Sequence, residues 1–245
     1  RLETRLLHHI KMPGNDDEYG AQVWNGYTYV WNDEQTDAEL LDAKGADRVF
    51  QIKDKSAPNG IREQKWHFPS RAECTLCHTM AAKYVLGATT AQMNRDFDYG
   101  DGTLKNQLKH LDELGYFTKP LPSEPEIVLP RLVDYHDDHQ TLNARARSYL
   151  HANCSHCHRK WGGGNAEFQL LATLPITETG TVGVRPGQGL FELSDPKILV
   201  PGDPARSMVL HRMQKTGLGR MPHVASNVVD SEAVKLIEQW IRELK

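Results

Sequence analysis

The pentapeptide Cys154-Ser155-His156-Cys157-His158 has the pattern C-x-x-C-H, and Cys74-Thr75-Leu76-Cys77-His78 repeats that pattern earlier in the chain. In this pattern two thiols form thioethers with a porphyrin, and the adjacent imidazole takes an axial position on the iron. On a helical turn, side chains three residues apart project from one face and can reach the same edge of a macrocycle. The sequence therefore predicts two covalently bound haem c groups. The predicted attachment points are Cys74, Cys77, Cys154 and Cys157, and the predicted proximal iron ligands are His78 and His158.

The two motifs use all four cysteines of the chain. A four-cysteine zinc site or a pair of disulfides would use the same residues. Neither alternative requires a histidine directly after each cysteine pair, so we favour haem attachment over both.

The composition is that of an ordinary globular protein, with 245 residues, 25% of them charged, and a net charge of −3. Such a charge gives no field for binding nucleic acid. No apolar stretch approaches the roughly 20 residues of a membrane span. The chain begins at Arg1 rather than Met, which predicts that a signal peptide or upstream region has been removed. Because haem is attached on the outer side of the bacterial inner membrane, we expect a periplasmic location.

Residues 1–66 are predicted to form a β-rich extension packed on the first haem unit. The segments 24–31, 48–52 and 61–68 are rich in aromatic and β-branched residues and are separated by turn signals, which is typical of a small antiparallel sheet. The aromatic residues of the first segment could instead form a carbohydrate-binding platform, although aromatic strands more often form core. These residues are Trp24, Tyr27, Tyr29 and Trp31.

Residues 67–117 are predicted to form the first haem unit. Ser70 and Glu73 have the spacing of a capping box, so a helix should begin there, carry the first motif and run to Gly87. A second helix is predicted over residues 103–114. Residues 118–134 form a proline-rich connector, with prolines at 120, 122, 125 and 130.

Residues 135–245 are predicted to form the second haem unit. The pattern predicts helices over residues 138–153, from Pro204 to about 213, and from about Ser231 onward, with a hairpin over 165–197. The loop Gly162-Gly163-Gly164 would let the backbone pass close to the porphyrin edge. This order of elements resembles that of class I cytochromes c. The expected fold is mainly α, with two unequal cytochrome-c-like haem units and the β-rich extension.

For the second haem, Met221 is the predicted distal ligand, because it lies in the loop before the final helix and is followed by Pro222. The nearest competitors are Met208, His211, Met213 and His223. For the first haem, Met93 is preferred, because it precedes its closing helix by the same number of residues as Met221. The alternatives for the first haem are His110, His67, Met80, His8, His9, His136, His139 and His151.

Four stretches of sequence are similar to a family of bacterial two-haem c-type cytochromes. They are GYTYVWNDEQTD at 26–37, FPSR at 68–71, YLHANC at 149–154 and VPGDP at 200–204. Members are often encoded beside, or fused to, quinoprotein sugar dehydrogenases. The resemblance covers nearly the whole chain and implies a periplasmic electron-transfer module that accepts electrons from a PQQ-dependent dehydrogenase.

Histidine and methionine ligation saturates the iron and suits electron transfer rather than catalysis. No serine hydrolase triad, phosphate-binding loop or zinc-protease motif is present in the sequence. We therefore predict a dihaem electron carrier. The alternative is a dihaem cytochrome c peroxidase-like enzyme, which would need one iron with an open sixth position.

Overall fold

The computed structural model describes residues 1–10, 23–124, 126–165 and 167–245. Part of the predicted β-rich extension, residues 11–22, and Pro125 of the predicted connector lie outside the described residues. The chain begins with an antiparallel sheet of three strands in the order β1-β2-β3. The strands are β1 (Glu3–Ile10), β2 (Val23–Trp31) and β3 (Ala38–Leu40).

A separate antiparallel hairpin follows, made of β4 (Ala46–Lys53) and β5 (Ile61–Phe68). A short 3-10 turn, Pro58–Gly60, joins the two strands. The three strands predicted from sequence are all present. They belong to two sheets, however, rather than to the single sheet that was expected.

Side chains along β2 alternate between two faces, as they must in a pleated strand. Gly26, Thr28 and Val30 are buried, whereas Tyr27, Tyr29 and Trp31 lie on the opposite, half-buried face. Trp24 belongs to the buried face. The four aromatic residues considered for carbohydrate binding therefore do not form one platform.

The first motif lies on a short helix, α1 (Arg71–Cys77), which begins with the predicted capping box. The hydroxyl of Ser70 accepts from the amide of Glu73, and the Glu73 carboxylate accepts from the amide of Ser70. The helix ends at Cys77 rather than near Gly87, so the prediction of a longer helix is wrong. The chain turns back at Lys83 and Tyr84, which both have positive φ.

After α1 come α2 (Thr90–Met93), the small hairpin of β6 (Asp96–Asp98) and β7 (Leu104–Asn106), and α3 (Gln107–Glu113). The helix predicted over 103–114 is therefore shorter. The side chain of Asn106 accepts from the amides of Leu108 and Lys109 and so fixes the start of α3 at Gln107.

The proline-rich connector is irregular and is tied to both of its neighbours. The amide of Leu132 donates to the carbonyl of Ala91 at 2.8 Å, and the amide of Val133 donates to the hydroxyl of Ser148 at 3.0 Å. The connector therefore holds the two halves of the chain together.

The principal core lies in the second half, where α4 (Leu142–Cys154), α5 (Met208–Gln214) and α6 (Ser231–Glu243) meet. The apolar face of α6 is buried, with Ala233, Ile237 and Ile241 fully enclosed. Burying aliphatic side chains of the size of Ile237 stabilises the fold by about 1.5–3 kcal/mol each. This core fixes the end of α4, where the second motif begins.

The prediction of a mainly α, cytochrome-c-like fold is wrong. Helices account for 26% and strands for 20% of the described residues.

The long segment between α4 and α5 has one 3-10 turn before Pro204–Arg206, and it forms isolated parallel bridges between Val182 and Leu199 and between Lys197 and Ser207. The hairpin predicted over 165–197 is therefore absent from the described residues. In this segment the buried hydroxyls of Thr179 and Thr181 form a hydrogen bond with each other. This bond satisfies both hydroxyls without the hydrogen bonds of a β-sheet.

Within the described part of the chain, none of the helices combines the length and apolar character that crossing a membrane requires.

Candidate functional site

The second motif forms a tight turn at the end of α4. Cys154 is the last residue of that helix, and its carbonyl accepts from the amides of Cys157 at 3.2 Å and His158 at 2.9 Å. This winding brings both cysteines and the histidine to one side of the turn, as the C-x-x-C-H spacing predicts.

A cavity of about 580 Å³ opens beside this turn. It is lined by Cys154, Cys157, His158 and Met221, which are the four residues predicted to hold the second haem. The volume lies within the range of roughly 300–1,000 Å³ that is usual for cofactor sites. The fold therefore brings together residues that are far apart in the sequence, around a space of the size that a cofactor needs.

His158 is prepared to act as a metal ligand. Its ring stacks on Phe168 with centroids 4.4 Å apart, and burial lowers its pKa from 6.5 to about 4. The imidazole is therefore neutral at physiological pH, which is the form that binds a metal. Its Nδ1 atom is buried and has no hydrogen-bond partner among the described residues.

Hydrogen bonds stabilise the conformation of the loop that carries Met221. The buried guanidinium of Arg220 donates to the carbonyls of Lys215, Ser226 and Val228, and the amide of Met221 donates to the carbonyl of Arg212 at 3.0 Å. The competing ligands Met208, Met213 and His223 also line the cavity, whereas His211 is not among its lining residues. Met221 is thus one of four possible ligands there.

Two guanidinium groups, those of Arg212 and Arg220, also line the cavity. Arg212 donates its Nε to the carbonyl of Gly219 at 2.8 Å. Cations in a largely apolar pocket suit a flat apolar ligand that carries acidic groups, as a porphyrin with its two carboxylates does. The composition of the cavity fits the predicted cofactor.

The first motif holds its histidine in a different way. The Nδ1 atom of His78 lies 2.5 Å from the carbonyl oxygen of Tyr84. Because a carbonyl only accepts, Nδ1 carries the proton and Nε2 keeps its lone pair. A hydrogen bond of this kind orients an imidazole and raises its basicity as a metal ligand.

The reversal of the chain after α1 creates this hydrogen bond. The amide of Tyr84 donates to the carbonyl of Thr79 at 2.9 Å, which folds the carbonyl of Tyr84 back toward His78. A continued helix would carry Tyr84 away from His78, so the early end of α1 makes the hydrogen bond between these two residues possible.

The distal ligand predicted for the first haem, Met93, is half-buried at the end of α2. It is not among the residues that line the 580 Å³ cavity, and neither are Cys74 and His78. The alternative His110 packs on Tyr99 with ring centroids 4.4 Å apart. Met93 and His110 therefore lie outside the cavity that Met221 shares with the second motif.

Other candidates for the first haem are occupied elsewhere or exposed. Both ring nitrogens of His67 are bonded to carboxylates, as are those of His136. Nδ1 of His151 accepts from the amide of Ala172 at 3.1 Å, and Met80 is 74% exposed. His8, His9 and His139 are exposed.

The two motifs touch each other. The sulfurs of Cys77 and Cys157 are 3.6 Å apart, and the Cys157 sulfur lies 3.3 Å from the carbonyl oxygen of Leu76. The Cys157 thiol has a lowered pKa because it shares a hydrogen bond with Cys77, and the same hydrogen bond raises the pKa of Cys77. Burial raises the pKa of Cys154 to about 12.

The three glycines after the second motif make this contact between motifs possible. A Cβ atom on Gly163 would lie 2.1 Å from the carbonyl oxygen of Leu76, and one on Gly162 would lie 2.2 Å from that of Cys157. The sequence predicted that the backbone at these glycines passes close to a porphyrin edge, and the structure shows a close approach to the backbone of Leu76 and Cys157. It did not indicate that the first motif is the neighbour.

The positions of the four cysteines bear on the two alternatives to haem attachment, which are a four-cysteine zinc site and a pair of disulfides. All four cysteines are free thiols. Cys77 and Cys157 lie with His156 so that one ligand atom of each is within 4.8 Å of the others, whereas Cys74 and Cys154 are not members of this group. A four-cysteine zinc site is therefore not assembled.

In comparisons with known proteins, no protein-family model, no curated protein and no solved structure matches this chain.

Proposed function

We propose that this protein is a dihaem c-type cytochrome that transfers electrons. The observation that carries the proposal is the cavity in which Cys154, Cys157, His158 and Met221 meet. The neutral state of His158 and the hydrogen bond that directs Nε2 of His78 away from Tyr84 support it further. Haem, when bound, supplies reversible one-electron chemistry.

In this proposal, each residue has a distinct task. The cysteines fix the position of the cofactor, the histidines bind one face of the iron, and Met221 binds the other face in the second site. Met93 is proposed as the distal ligand of the first site, with His110 as the alternative. The contact between Cys77 and Cys157 supports a close arrangement of the two proposed haems, which would favour electron exchange between them.

The proposed partners are redox proteins, among them a PQQ-dependent quinoprotein dehydrogenase that would donate electrons. This follows from the resemblance of four sequence stretches to two-haem cytochromes, and so does the proposed periplasmic location. Association with a purified dehydrogenase of that class, measured as the reduction rate of the cytochrome in the presence of its sugar substrate, tests the partnership.

The proposed function is tested by measuring haem after expression with the haem-attachment machinery. A pyridine haemochrome assay should return two haems per chain, and mass spectrometry should place them on peptides with Cys74 and Cys77 and with Cys154 and Cys157. Double serine variants of either cysteine pair should each retain one haem. A wild-type chain without haem would contradict the proposal.

A second candidate function is binding of a soft divalent metal such as Zn²⁺ at Cys77, His156 and Cys157. The clustering of these ligand atoms within 4.8 Å favours it, because thiolates and imidazole are the ligands that zinc prefers. His156→Ala separates the two functions, since it leaves both C-x-x-C-H patterns intact. Stoichiometric zinc in the wild type and none in this variant would support the metal site, whereas two haems in both would support the cytochrome.

The peroxidase-like alternative is tested by the spin state of the iron. A ferric spectrum in which both haems are low spin, with no turnover of hydrogen peroxide, supports the electron carrier. A high-spin first haem with peroxide turnover would favour the enzyme.

A further inference from the structure

The N-terminal sheet contacts the first motif through the buried face of β2. A Cβ atom on Gly26 would lie 2.5 Å from the sulfur of Cys74 and 2.6 Å from its Cβ. The bare backbone of Gly26 is therefore what allows the Cys74 side chain to lie against the strand. Gly26 has no positive φ to explain its presence, so the close approach of Cys74 is its structural reason.

Two residues earlier on the same face, Trp24 contacts the turn that follows the first motif. Its ring stacks on that of Tyr84 with centroids 5.4 Å apart and planes at 18°. The Trp24 ring also stacks on that of His9 of β1, with centroids 4.5 Å apart and planes at 18°. Trp24 is thus held between the sheet and the turn that follows α1.

The turn that Trp24 contacts is the one that orients the histidine. Tyr84 has a positive φ of 59°, a conformation that bulky residues rarely adopt. Its carbonyl oxygen accepts from Nδ1 of His78. A stacked partner on the Tyr84 ring therefore stabilises the backbone conformation on which this hydrogen bond depends.

The indole nitrogen of Trp24 is a further sign of a role at this site. Nε1 is buried and has no hydrogen-bond partner among the described residues. The indole groups of Trp31 and Trp66 both donate, to the Thr4 hydroxyl and the Glu3 carboxylate. A buried indole donor without a partner is unusual, so hydrogen bonding within the sheet does not explain why a tryptophan occupies this position.

We propose that Trp24 and Gly26 of the N-terminal sheet are positioning residues of the first haem site. Gly26 provides the space in which the Cys74 thioether lies, and Trp24 fixes the turn that directs Nε2 of His78 at the iron. The inference rests on the proposed function, and it gives the β-rich extension a task that the sequence alone does not reveal.

Trp24→Ala tests the second half of the proposal, with Trp31→Ala as the matched control on the opposite face of the same strand. Trp24→Ala should keep two haems by mass but change the low-spin ferric signal of the first haem and raise its midpoint potential. The potential should rise because a looser Nδ1 hydrogen bond makes His78 a weaker donor to iron. The second haem and the Trp31→Ala protein should be unchanged.

Trp24→Phe separates the stack from the indole donor, because it keeps an aromatic ring and removes the N–H group. Should Trp24→Ala fail to fold, Tyr84→Ala removes the other half of the same stack and should produce the same shift. Spectra and potentials identical to wild type in the folded variant would overturn the role of Trp24.

Gly26→Ala tests the first half, with Gly87→Ala as its control, because a Cβ on Gly87 meets nothing within 4 Å. Gly26→Ala should reduce the haem content from two to one per chain, with the remaining haem on the peptide that contains Cys154 and Cys157. Two haems in Gly26→Ala would overturn the role of Gly26. Absence of haem from the wild type would instead contradict the proposed function itself.

Discussion

The two proximal histidines differ in what surrounds Nδ1. His78 donates from this atom to the carbonyl of Tyr84, whereas Nδ1 of His158 is buried without a partner among the described residues. A donated hydrogen bond increases the basicity of an imidazole ligand and favours the oxidised metal. In the proposed cytochrome the two haems would therefore have unequal electronic character before any difference in distal ligand is considered. Such an inequality would give direction to electron flow between them.

The predicted role of Met221 as a distal ligand can be tested by substituting this one residue. Met221→Leu keeps the volume of the side chain but removes the sulfur, so both haems should remain attached. The weak red absorption band of sulfur bound to ferric iron should disappear, and the midpoint potential of one haem should fall, because methionine raises the potential. Met208→Leu and Met213→Leu are matched controls in the same cavity. Loss of the band in a control instead of in Met221→Leu would assign the ligand to that methionine.

His151 should make stability sensitive to acid. Burial lowers its pKa from 6.5 to about 4, so between these values the unfolded chain binds more protons than the folded chain. Stability contributed by the neutral ring is present above about pH 6.5 and is lost as the pH falls toward 4, by up to about 3 kcal/mol. Urea denaturation at several pH values measures the free energy of unfolding. As the pH is lowered, this free energy should fall less steeply in His151→Gln than in the wild type. His139→Gln, at an exposed site, should retain the wild-type slope.

At the scale of elements, the capping box at the start of α1 determines where the first motif lies. Ser70→Ala removes a side-chain acceptor from the amide of Glu73 and should cost about 1 kcal/mol of unfolding free energy. Thr141→Ala removes the equivalent acceptor at the start of α4 and provides a comparison of similar size. Chemical denaturation monitored by circular dichroism measures both. A Ser70→Ala protein as stable as the wild type would show that packing, rather than the cap, holds α1.

The elements that were predictable from sequence are those whose causes are local. The apolar spacing of Ala233, Ile237 and Ile241 and the cap at Asp230 are sufficient to define α6. The end of α1 was not predictable, because the chain leaves the helix at His78, with φ −82° and ψ 70°, and then turns back at Lys83 and Tyr84 with positive φ, and nothing in these residue types indicates this. The small strands after residue 96 were missed because each has only three residues.

At the candidate site, too, the residues with a local sequence signal were found, whereas the contacts between distant segments were not. The motif spacing and the loop position of Met221 singled out residues of the second motif and a methionine that line one cavity in the structure, while their role as haem ligands stays a prediction. The packing of Trp24 on Tyr84 joins residues about 60 positions apart, so no local pattern reports it. The mainly α expectation failed because a C-x-x-C-H pattern requires one helical turn, which α1 supplies without continuing into a longer helix.

At the scale of the whole molecule, Arg159 links the two motifs. Its Nε donates to the carbonyl of Ser155 and its Nη1 to that of Ala81, both at 2.8 Å. Arg159→Met should cost about 1–3 kcal/mol, because it leaves two part-buried carbonyl acceptors without their charged donor. We also expect the two halves to unfold at different denaturant concentrations when followed by separate probes. Arg206→Met, which removes ion pairs of a more exposed arginine, should leave a single transition.

Contact between Cys77 and Cys157 has a consequence for the order of assembly. In the folded chain each of these sulfurs is shielded by the other motif, and Gly163 closes over the carbonyl of Leu76 between them. An enzyme that installs a large planar group on both cysteine pairs needs each pair open to it. If the proposed haems are attached in this way, the chain that receives them must be one in which the two halves have not yet closed on each other, so that attachment comes first and closure afterwards.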